Sequence, residues 1–401
     1  MRNTIYALPA VASSCYYHPR SPTDIQRGQV VGALSSLKRF GQGPSWSPVF
    51  TVSQSASIKD ALVQDCLNLR QHVREEVAKT RHINDRLLNL SDSMACRLLN
   101  SKSDSTSQNY LYSYKKYEAF LRCNDIPLDS ASPIHVALYI TDLLDKGASY
   151  SVVCSVAYAI KWVCELKNLS NPCDNAFVKN LIESAKRSVH KPVNKKDPVS
   201  VDMLIQLCKI HQNSTDLLTI RRLYMILLGF SGFLRFNEIA NLKCNDVNLY
   251  DSYFSLKIRK SKTDQYRQGD EVVISRGQSV ACPYDMLVRY ISLGSIDVKS
   301  EHFLFKPIFR TKTLCKLIYK DKPLSYTSTR ENILKALAPV ADDLKLGLHS
   351  LRSGGATAVA NTGVSDRNWK RHGRWKSDSS KDGYVVDSLG SRLEVSQKLG
   401  L

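Results

Sequence analysis

Residues 347–355, GLHSLRSGG, carry a histidine and an arginine at helical spacing. His349 and Arg352 are three positions apart, so on a helix their side chains would project from one face and could touch one phosphate together. Two polar residues on a solvated helix face would show the same spacing, and for a lone pair this simpler explanation is the better one. The pair therefore gains meaning only from the residues around it.

A basic segment follows this pair and leads to a tyrosine. Residues 367–376 contain no acidic residue and five basic ones, which are Arg367, Lys370, Arg371, Arg374 and Lys376. This composition is typical of an anion-facing surface, and we expect Arg371 and Arg374 to contact DNA, although a merely solvated basic face would look the same. Ser377 can cap a short helix that would present Tyr384 in KDGYV, residues 381–385.

An earlier signal is an arginine near the end of an apolar helical pattern, in GFSGFLRFNE, residues 229–238. Arg235 is the only charged residue between Leu223 and Asn237. A buried arginine is costly without a partner, so the simplest explanation is a salt bridge with Glu238, three residues further on. Taken alone, this motif indicates no more than that ion pair.

A lysine, Lys262, lies where a strand pattern enters its turn, in RKSKTD, residues 259–264. Residues 253–258 alternate between apolar and polar side chains, and the apolar-rich EVVI follows at 271–274 after a polar turn. This pattern predicts a β-hairpin or small sheet. The lysine could simply be solvated, but a lysine on a mobile β-turn can also reach a DNA backbone and donate a proton.

The patterns between residues 91 and 190 predict an all-helical unit. Apolar residues recur at helical spacing from about Ser107 to Cys123, from Pro133 to Lys146 and from Ser149 to Leu166. The first stretch carries an aromatic stripe, Tyr110, Tyr114, Tyr117 and Phe120. We interpret the stripe as core packing rather than base stacking. Lys115 and Lys116 beside it are candidates for contact with DNA.

A second domain is expected over residues 199–401. Helical patterns near residues 201–211 and 219–234 precede the predicted hairpin, and helical patterns resume at 283–293 and from Thr329 onward. The chain as a whole is therefore predicted to be mainly α with a small β-sheet.

Three further segments flank or join these domains. Residues 1–57 are rich in Ser, Gly and Pro, which predicts a weakly ordered extension. Helical spacing predicts a helical segment over residues 58–90, and residues 191–198 are a basic linker. The linker and the helix before it carry basic residues that are candidates for phosphate contacts, although a solvated connector would also be basic. These residues are Lys186, Arg187, Lys191, Lys195 and Lys196.

The overall charge points to a polyanionic partner. The formal net charge is +19, which makes nucleic acid the first candidate, although ribosomal and polybasic membrane-surface proteins share this property. No apolar run approaches the ~18 residues that a membrane span requires. Eleven scattered cysteines without CxxC pairs are typical of reduced thiols. We therefore expect an intracellular protein, in the nucleus if its host is eukaryotic.

The order of these signals resembles the active-site series of the tyrosine recombinase and phage-type integrase family. The series is Arg235, Lys262, His349 with Arg352, Trp375 and Tyr384. Tyr384 lies nine residues after Trp375 and thirty-two after Arg352, which is similar to the family pattern. The resemblance covers about residues 91–390. Two short sequences, SKTDQ at residues 261–265 and GRWKSD at residues 373–378, resemble those of the recombinases of eukaryotic tyrosine-recombinase retroelements.

The resemblance implies a role for each residue of the series. The two arginines would bind the non-bridging oxygens of a phosphate, and Lys262 would protonate the departing 5′ oxygen. Tyr384 would attack to form a 3′-phosphotyrosine, with His349 assisting proton transfer or holding the phosphate. Trp375 would take the place that histidine holds in many relatives, and Glu238 would orient the first arginine.

The resemblance also implies an architecture and a partner. A helical, SAM-like core-binding domain over residues 91–190 and a mixed α/β catalytic domain would close around double-stranded DNA as a C-shaped clamp. Strand exchange would require a homotetramer on two DNA sites. Because a phosphotyrosine conserves the energy of the phosphodiester, no ATP, metal or other cofactor is expected, and the sequence shows no carboxylate cluster of the kind that binds Mg²⁺.

Two other functions compete with an active recombinase. Type IB topoisomerases share the phosphotyrosine chemistry. A recombinase-derived protein that binds DNA and has lost cleavage would keep the fold. The complete residue series favours an active enzyme.

Overall fold

The computed structural model describes residues 67–188, 195–261, 264, 269–311, 315–318 and 320–400. Backbone contacts divide the chain into two units, one ending at Lys191 and the other beginning at Pro192. The extension predicted over residues 1–57 lies outside the described residues. Within the described part of the chain, no helix is long and apolar enough to cross a membrane.

The N-terminal unit is built from helices. Residues 67–78 are helical, and the helices that follow are α1 Asp85–Leu99, α2 Asp104–Cys123, α3 Pro133–Asp145, α4 Tyr150–Leu166 and α5 Ala176–Ser188. Serine side chains begin two of them, since Ser103 and Ser149 accept hydrogen bonds from the backbone N–H groups of Thr106 and Val152. Such caps satisfy N–H groups that have no partner within the helix.

The aromatic stripe of α2 faces the core of this unit. Tyr114 and Tyr117 are buried, and the ring of Tyr117 lies 5.5 Å from that of Tyr139 on α3. Tyr110 packs against Trp162 on α4 at 5.7 Å. Aromatic pairs at these distances add to the stabilisation that burial of their surface supplies. The interpretation of the stripe as core packing is confirmed.

The C-terminal unit combines helices with two small antiparallel sheets. Its helices are α6 Val201–Ile210, α7 Leu217–Ser231, α8 Phe236–Ala240, α9 Pro283–Gly294, α10 Tyr326–Leu337, α11 Leu348–Ala360, α12 Asp366–His372, α13 Asp378–Asp382 and α14 Leu389–Gln397. Its strands are β1 Val247–Leu249, β2 Tyr253–Ile258, β3 Asp270–Ser275, β4 Ile308–Arg310 and β5 Cys315–Leu317. Strands β1, β2 and β3 form one sheet in that order, and β4 pairs with β5. The prediction of a mainly α chain with a small sheet is confirmed.

Helix α7 lies in the core of this unit. Ten of its fifteen residues are buried, from Leu217 to Gly229. Apart from Arg221 and Arg222 the helix is largely apolar, and a helix with apolar residues on most sides is typical of a packed position in the core. It packs against both α9 and α11, and so it supports the helix that carries the GLHSLRSGG stretch.

Helix α11 approaches its neighbours at distances that only glycine allows. A Cβ atom on Gly354 would lie 2.1 Å from the carbonyl oxygen of Val199, and one on Gly355 would lie 2.2 Å from that of Phe230 at the end of α7. The two glycines therefore let α11 lie directly on backbone. This contact brings Arg352, on the same helix, to the residues that follow α7.

Gly355→Ala is expected to lower the free energy of unfolding by about 1–3 kcal/mol, the usual cost of overpacking a dense core. The added methyl group would have to displace the Phe230 carbonyl and the Phe233 ring. Chemical denaturation measures the change. Gly277→Ala is the control, because its methyl group would meet no described atom within 4 Å. Equal denaturation midpoints for Gly355→Ala and the wild type would contradict the close approach of α11.

Candidate functional site

Three of the predicted site residues lie against one another in the C-terminal unit. Arg352 is on α11, Trp375 is between α12 and α13, and Tyr384 follows α13. The Arg352 Cζ atom lies 4.6 Å from the centre of the Trp375 ring and 5.1 Å from the centre of the Tyr384 ring. The two ring centres are 5.6 Å apart. The fold therefore places a predicted nucleophile beside a predicted phosphate-binding group.

Arg352 is fully buried and is held by backbone carbonyls. Its Nη1 donates to the oxygen of Phe233, and its Nη2 donates to the oxygen of Gly373 at 2.6 Å. Burial, assisted by the nearby charge of Arg235, lowers the pKa of Arg352 to about 10, while Glu238 acts in the opposite direction. The group therefore stays charged at neutral pH. Among the described residues its Nε has no acceptor, so this nitrogen retains hydrogen-bonding capacity.

Arg235 belongs to a cluster around the buried carboxylate of Glu238. Arg235 Nη1 donates to Glu238 Oε1 at 2.8 Å, and the Arg235 backbone N–H donates to Oε2 at 2.9 Å, so the predicted ion pair is present. Arg374 Nη2 donates to the same Oε2 at 2.9 Å. Burial raises the pKa of Glu238, but the charge of Arg374 and the interactions with Arg235 outweigh it and hold that pKa below 4.5.

The local structure at Arg235 differs from the prediction. The apolar pattern predicts a helix that reaches almost to Arg235, but α7 ends at Ser231 and Arg235 is the N-cap residue of α8. Phe233 between them has a left-handed φ of +47°, which a right-handed helix cannot include. The Phe233 carbonyl accepts hydrogen bonds from both Arg352 and Arg374. The turn at Phe233 is thus hydrogen-bonded both to the helix that carries Arg352 and to the segment that carries Arg374.

The site carries more positive than negative charge. Three guanidinium groups, those of Arg235, Arg352 and Arg374, act on Glu238, and it bonds directly to two of them. Charge in a water-poor environment is stable only with a counter-charge or hydrogen-bond partners nearby. The cluster is therefore suited to bind an anion such as a phosphate.

Two basic residues contribute to this cluster without a specific sequence signal. The Arg374 side chain is 3% exposed, a position that favours holding Glu238 over contacting DNA. His372 Nε2 lies 2.7 Å from the oxygen of Ser231. Burial lowers the pKa of His372, and the nearby positive charge of Arg374 lowers it further. The hydrogen bond with the Ser231 carbonyl raises this pKa but does not outweigh the other two effects. The imidazole is therefore neutral at pH 7 and donates to that carbonyl. The basic composition of residues 367–376 and the resemblance at residues 373–378 pointed to this region, but neither indicated the contacts that Arg374 and His372 make.

The backbone around Tyr384 is anchored to α11. The hydroxyl groups of Ser353 and Thr357 donate to the Tyr384 carbonyl oxygen at 2.7 and 3.5 Å. The Trp375 ring is buried, and its indole N–H has no acceptor among the described residues. The backbone at Tyr384 is thus hydrogen-bonded to α11, the helix that carries Arg352.

The structure describes one of the two other residues of the predicted series. His349 is in the first turn of α11 and its side chain is exposed, one turn before Arg352. Lys262 lies outside the described residues, in the connection between β2 and β3. The register of these strands pairs Ile258 with Asp270, so Lys262 follows the last paired residue of β2. The roles of both residues stay predictions.

The residues predicted to bind DNA differ in exposure. Most are exposed, namely Lys116, Lys186, Arg187, Lys195, Lys196 and Arg371. Lys115 is half-buried and lies 3.7 Å from Glu118. Arg374 is buried, and Lys191 lies outside the described residues. Contact with DNA stays a prediction for the whole set.

Comparison with known sequences finds a family match within the C-terminal unit and a similar protein over a longer part of the chain. Residues 199–388 match the phage integrase family. Over 292 residues the chain is 24% identical to an integrase/recombinase XerD homolog from Selenomonas ruminantium, and the match covers 72% of this chain and 83% of the relative. The matched range contains the positions of Arg235, Arg352, Trp375 and Tyr384.

Solved structures of recombinases resemble the chain at low sequence identity. The XerH site-specific recombinase, bound to a palindromic difH substrate in a post-cleavage complex, has a TM-score of 0.52 at 13% identity, covering 83% of this chain and 94% of that one. A lambda integrase dimer bound to a COC′ core site has a TM-score of 0.44 at 15% identity, covering 91% and 87%. The likeness to XerH shows a common fold.

Proposed function

We propose that this protein is a site-specific DNA recombinase or integrase, since residues 199–388 match the phage integrase family. It breaks and rejoins DNA through a 3′-phosphotyrosine intermediate on Tyr384. The observation that carries this proposal is the packing of Tyr384 and Trp375 against the buried guanidinium of Arg352. In the proposed reaction this packing would bring the nucleophile and an anion-binding group within reach of one phosphate.

In the proposed reaction, Arg235 and Arg352 bind the non-bridging oxygens of the scissile phosphate. Their charge offsets the repulsion between the diester and the nucleophile, and it stabilises the charge that develops on those oxygens. The Tyr384 oxygen bonds to phosphorus as the bond to the 5′ oxygen breaks; His349 accepts the phenol proton, and Lys262 protonates the departing oxygen. Attack by a second 5′ hydroxyl restores a diester and releases the tyrosine without ATP.

The proposed phosphate-binding groups are fixed by their neighbours. Glu238 binds Arg235 at two points, and the carbonyls of Phe233 and Gly373 hold Arg352. Donors that are already oriented need no reorganisation when charge develops in the transition state. Trp375, in the place that histidine holds in many relatives, would donate its indole N–H to the phosphate.

The proposed partner is double-stranded DNA, on which a homotetramer would join two sites. Helix α14 exposes apolar side chains, with Leu389 at 70% and Val395 at 69% exposure. Exposed apolar clusters are typical of protein contacts, and the assembly that strand exchange requires would supply a second copy. Such a recombinase would integrate or excise a mobile DNA element inside the cell.

A covalent-trapping experiment tests this proposal. The full chain is incubated with a library of nicked duplexes in which the short strand diffuses away after cleavage, so that the reaction cannot reverse. We expect a protein–DNA adduct on denaturing gels, with the phosphodiester located on Tyr384 by mass spectrometry. Sequencing the trapped DNA would identify the target site.

The competing functions predict other results in the same experiment. DNA binding without any adduct would favour a recombinase-derived DNA-binding protein. Relaxation of supercoiled plasmid without sequence preference would favour a type IB topoisomerase-like activity.

A further inference from the structure

The C-terminal unit buries a lysine, Lys381, three residues before the proposed nucleophile. Its side chain is 2% exposed, although lysine is rarely buried unless it is paired. Its Nζ atom donates to Asp366 Oδ2 at 2.6 Å and lies 3.8 Å from Asp378 Oδ1 and 3.5 Å from Asp382 Oδ1. The same atom lies 4.3 Å from the centre of the Trp369 ring. We name Lys381, Asp366 and Trp369 the Lys381 latch.

The latch joins α12 to α13 by charge. Asp366 binds both other members, since Trp369 Nε1 donates to its Oδ1 at 3.0 Å. Burial lowers the pKa of Lys381, but the hydrogen bond and charge of Asp366 outweigh it and keep that pKa above 10.5. The hydrogen bond from Lys381 in turn holds the pKa of Asp366 below 3.8. Both charges therefore persist throughout the neutral pH range.

The latch reaches the proposed nucleophile by two routes. Along the backbone, the Lys381 carbonyl accepts the N–H of Tyr384 at 3.0 Å. Through side chains, Trp369 meets Trp375 edge-on at 5.6 Å, and Trp375 packs on Tyr384 at 5.6 Å. A change in the latch would therefore alter where Tyr384 lies relative to Arg352.

We propose that Lys381 is a positioning residue, which by binding Asp366 fixes the Tyr384 phenol relative to the arginines that hold the phosphate. This inference rests on the proposed function, because the reaction it serves is strand cleavage by Tyr384. Lys381 is buried, so it acts through the tyrosine segment and not on DNA. Accurate placement matters, since a displacement of about 1 Å can lower a rate by about 100-fold.

Lys381→Met and Asp366→Asn test the latch with little risk to folding. Methionine is close to lysine in length and suits a buried position. The carboxylates of Asp366, Asp378 and Asp382 have 75%, 64% and 63% exposed side chains, so water can solvate them when the ammonium group is lost. We expect each variant to cleave DNA about 10- to 100-fold more slowly in single turnover, with DNA affinity and Tm near those of the wild type.

A double-mutant cycle separates positioning from a general structural effect. If the two residues act as a pair, combining Lys381→Met with Asp366→Asn should cost no more rate than the slower single variant. Asp366→Glu keeps a carboxylate and should recover much of the rate. Asp387→Asn is the control, because Asp387 is an exposed carboxylate three residues after Tyr384 and outside the latch. Cleavage by both latch variants within twofold of the wild-type rate would overturn the inference.

Amide hydrogen exchange keeps this test distinct from that of the proposed function. Loss of the latch should speed exchange in residues 383–388 by about tenfold or more, with α7 unchanged, because local opening of the segment becomes easier. A wild-type protein that forms no adduct would refute the proposed function. Faster exchange in the variants would then still support anchoring of the Tyr384 segment by Lys381, whereas unchanged exchange would overturn it.

Discussion

Tyr384→Phe is expected to abolish the covalent adduct and to lower the DNA cleavage rate by at least about four orders of magnitude, as removal of a covalent nucleophile does. Only the phenolic oxygen is lost. The phenyl ring can keep its place 5.6 Å from the Trp375 ring and 5.1 Å from the Arg352 guanidinium. The variant should therefore fold and bind DNA as the wild type does, so that the missing activity reports the chemical step.

Single-turnover cleavage and DNA affinity, measured on the site recovered by trapping, test this expectation. Tyr250→Phe is the matched control. Tyr250 is 46% exposed and precedes β2, so it lies at the end of that strand opposite to the loop that contains Lys262. The control should cleave at the wild-type rate. Equal adduct yields from Tyr384→Phe and the wild type would mean that another residue is the nucleophile.

Arg352→Lys is expected to reduce the cleavage rate by about 100- to 1,000-fold, the range typical for loss of a group that stabilises transition-state charge. An ammonium group cannot bond to the Phe233 and Gly373 carbonyls in the way the planar guanidinium does. A carbonyl left without a donor costs about 1–3 kcal/mol of stability. Burial also lowers the pKa of Arg352 to about 10, and a lysine, starting from about 10.4, would be brought close to the neutral range.

The pH dependence of Arg352→Lys follows from that shift. A lysine is a cation only below its pKa, so the remaining cleavage rate should fall as the pH rises from about 6 to about 9. The wild-type arginine stays largely charged over most of this range. Arg276→Lys is the control, since Arg276 is 54% exposed and pairs with Asp285 at 2.9 Å. A wild-type rate for Arg352→Lys would contradict the role assigned to this guanidinium.

Much of the fold could be predicted because its signals are local. Helical spacing predicted the helices that the structure has as α2, α3 and α4. The first turn of α2 was missed, since residues 104–106 are polar and carry no apolar periodicity. The ion pair between Arg235 and Glu238 was also predictable, because residues three apart on one helix or at its cap are neighbours whatever the rest of the fold does.

The boundary at the end of α7 was less predictable. The apolar run continues past Ser231, but Phe233 adopts a left-handed conformation and its carbonyl binds arginines from distant segments. A helix ends where tertiary contacts outweigh its own hydrogen bonds, and no periodicity reports those contacts. The small β4–β5 hairpin was not predicted, as strands of three residues are too short to show alternation.

In the candidate site, too, some features could be predicted from the sequence and others were decided only by the tertiary structure. The resemblance to the tyrosine recombinase family, which rests on order and spacing, predicted Arg352, Trp375 and Tyr384 as site residues, and the fold places their side chains in contact. Composition predicted an anion-facing surface over residues 367–376, but it did not distinguish Arg371, which is exposed, from Arg374, which binds a glutamate 136 positions earlier. Only tertiary structure separated cations that face solvent from those that hold the site together. A charge is stable inside a protein only beside a partner, and chain folding decides which partner that is.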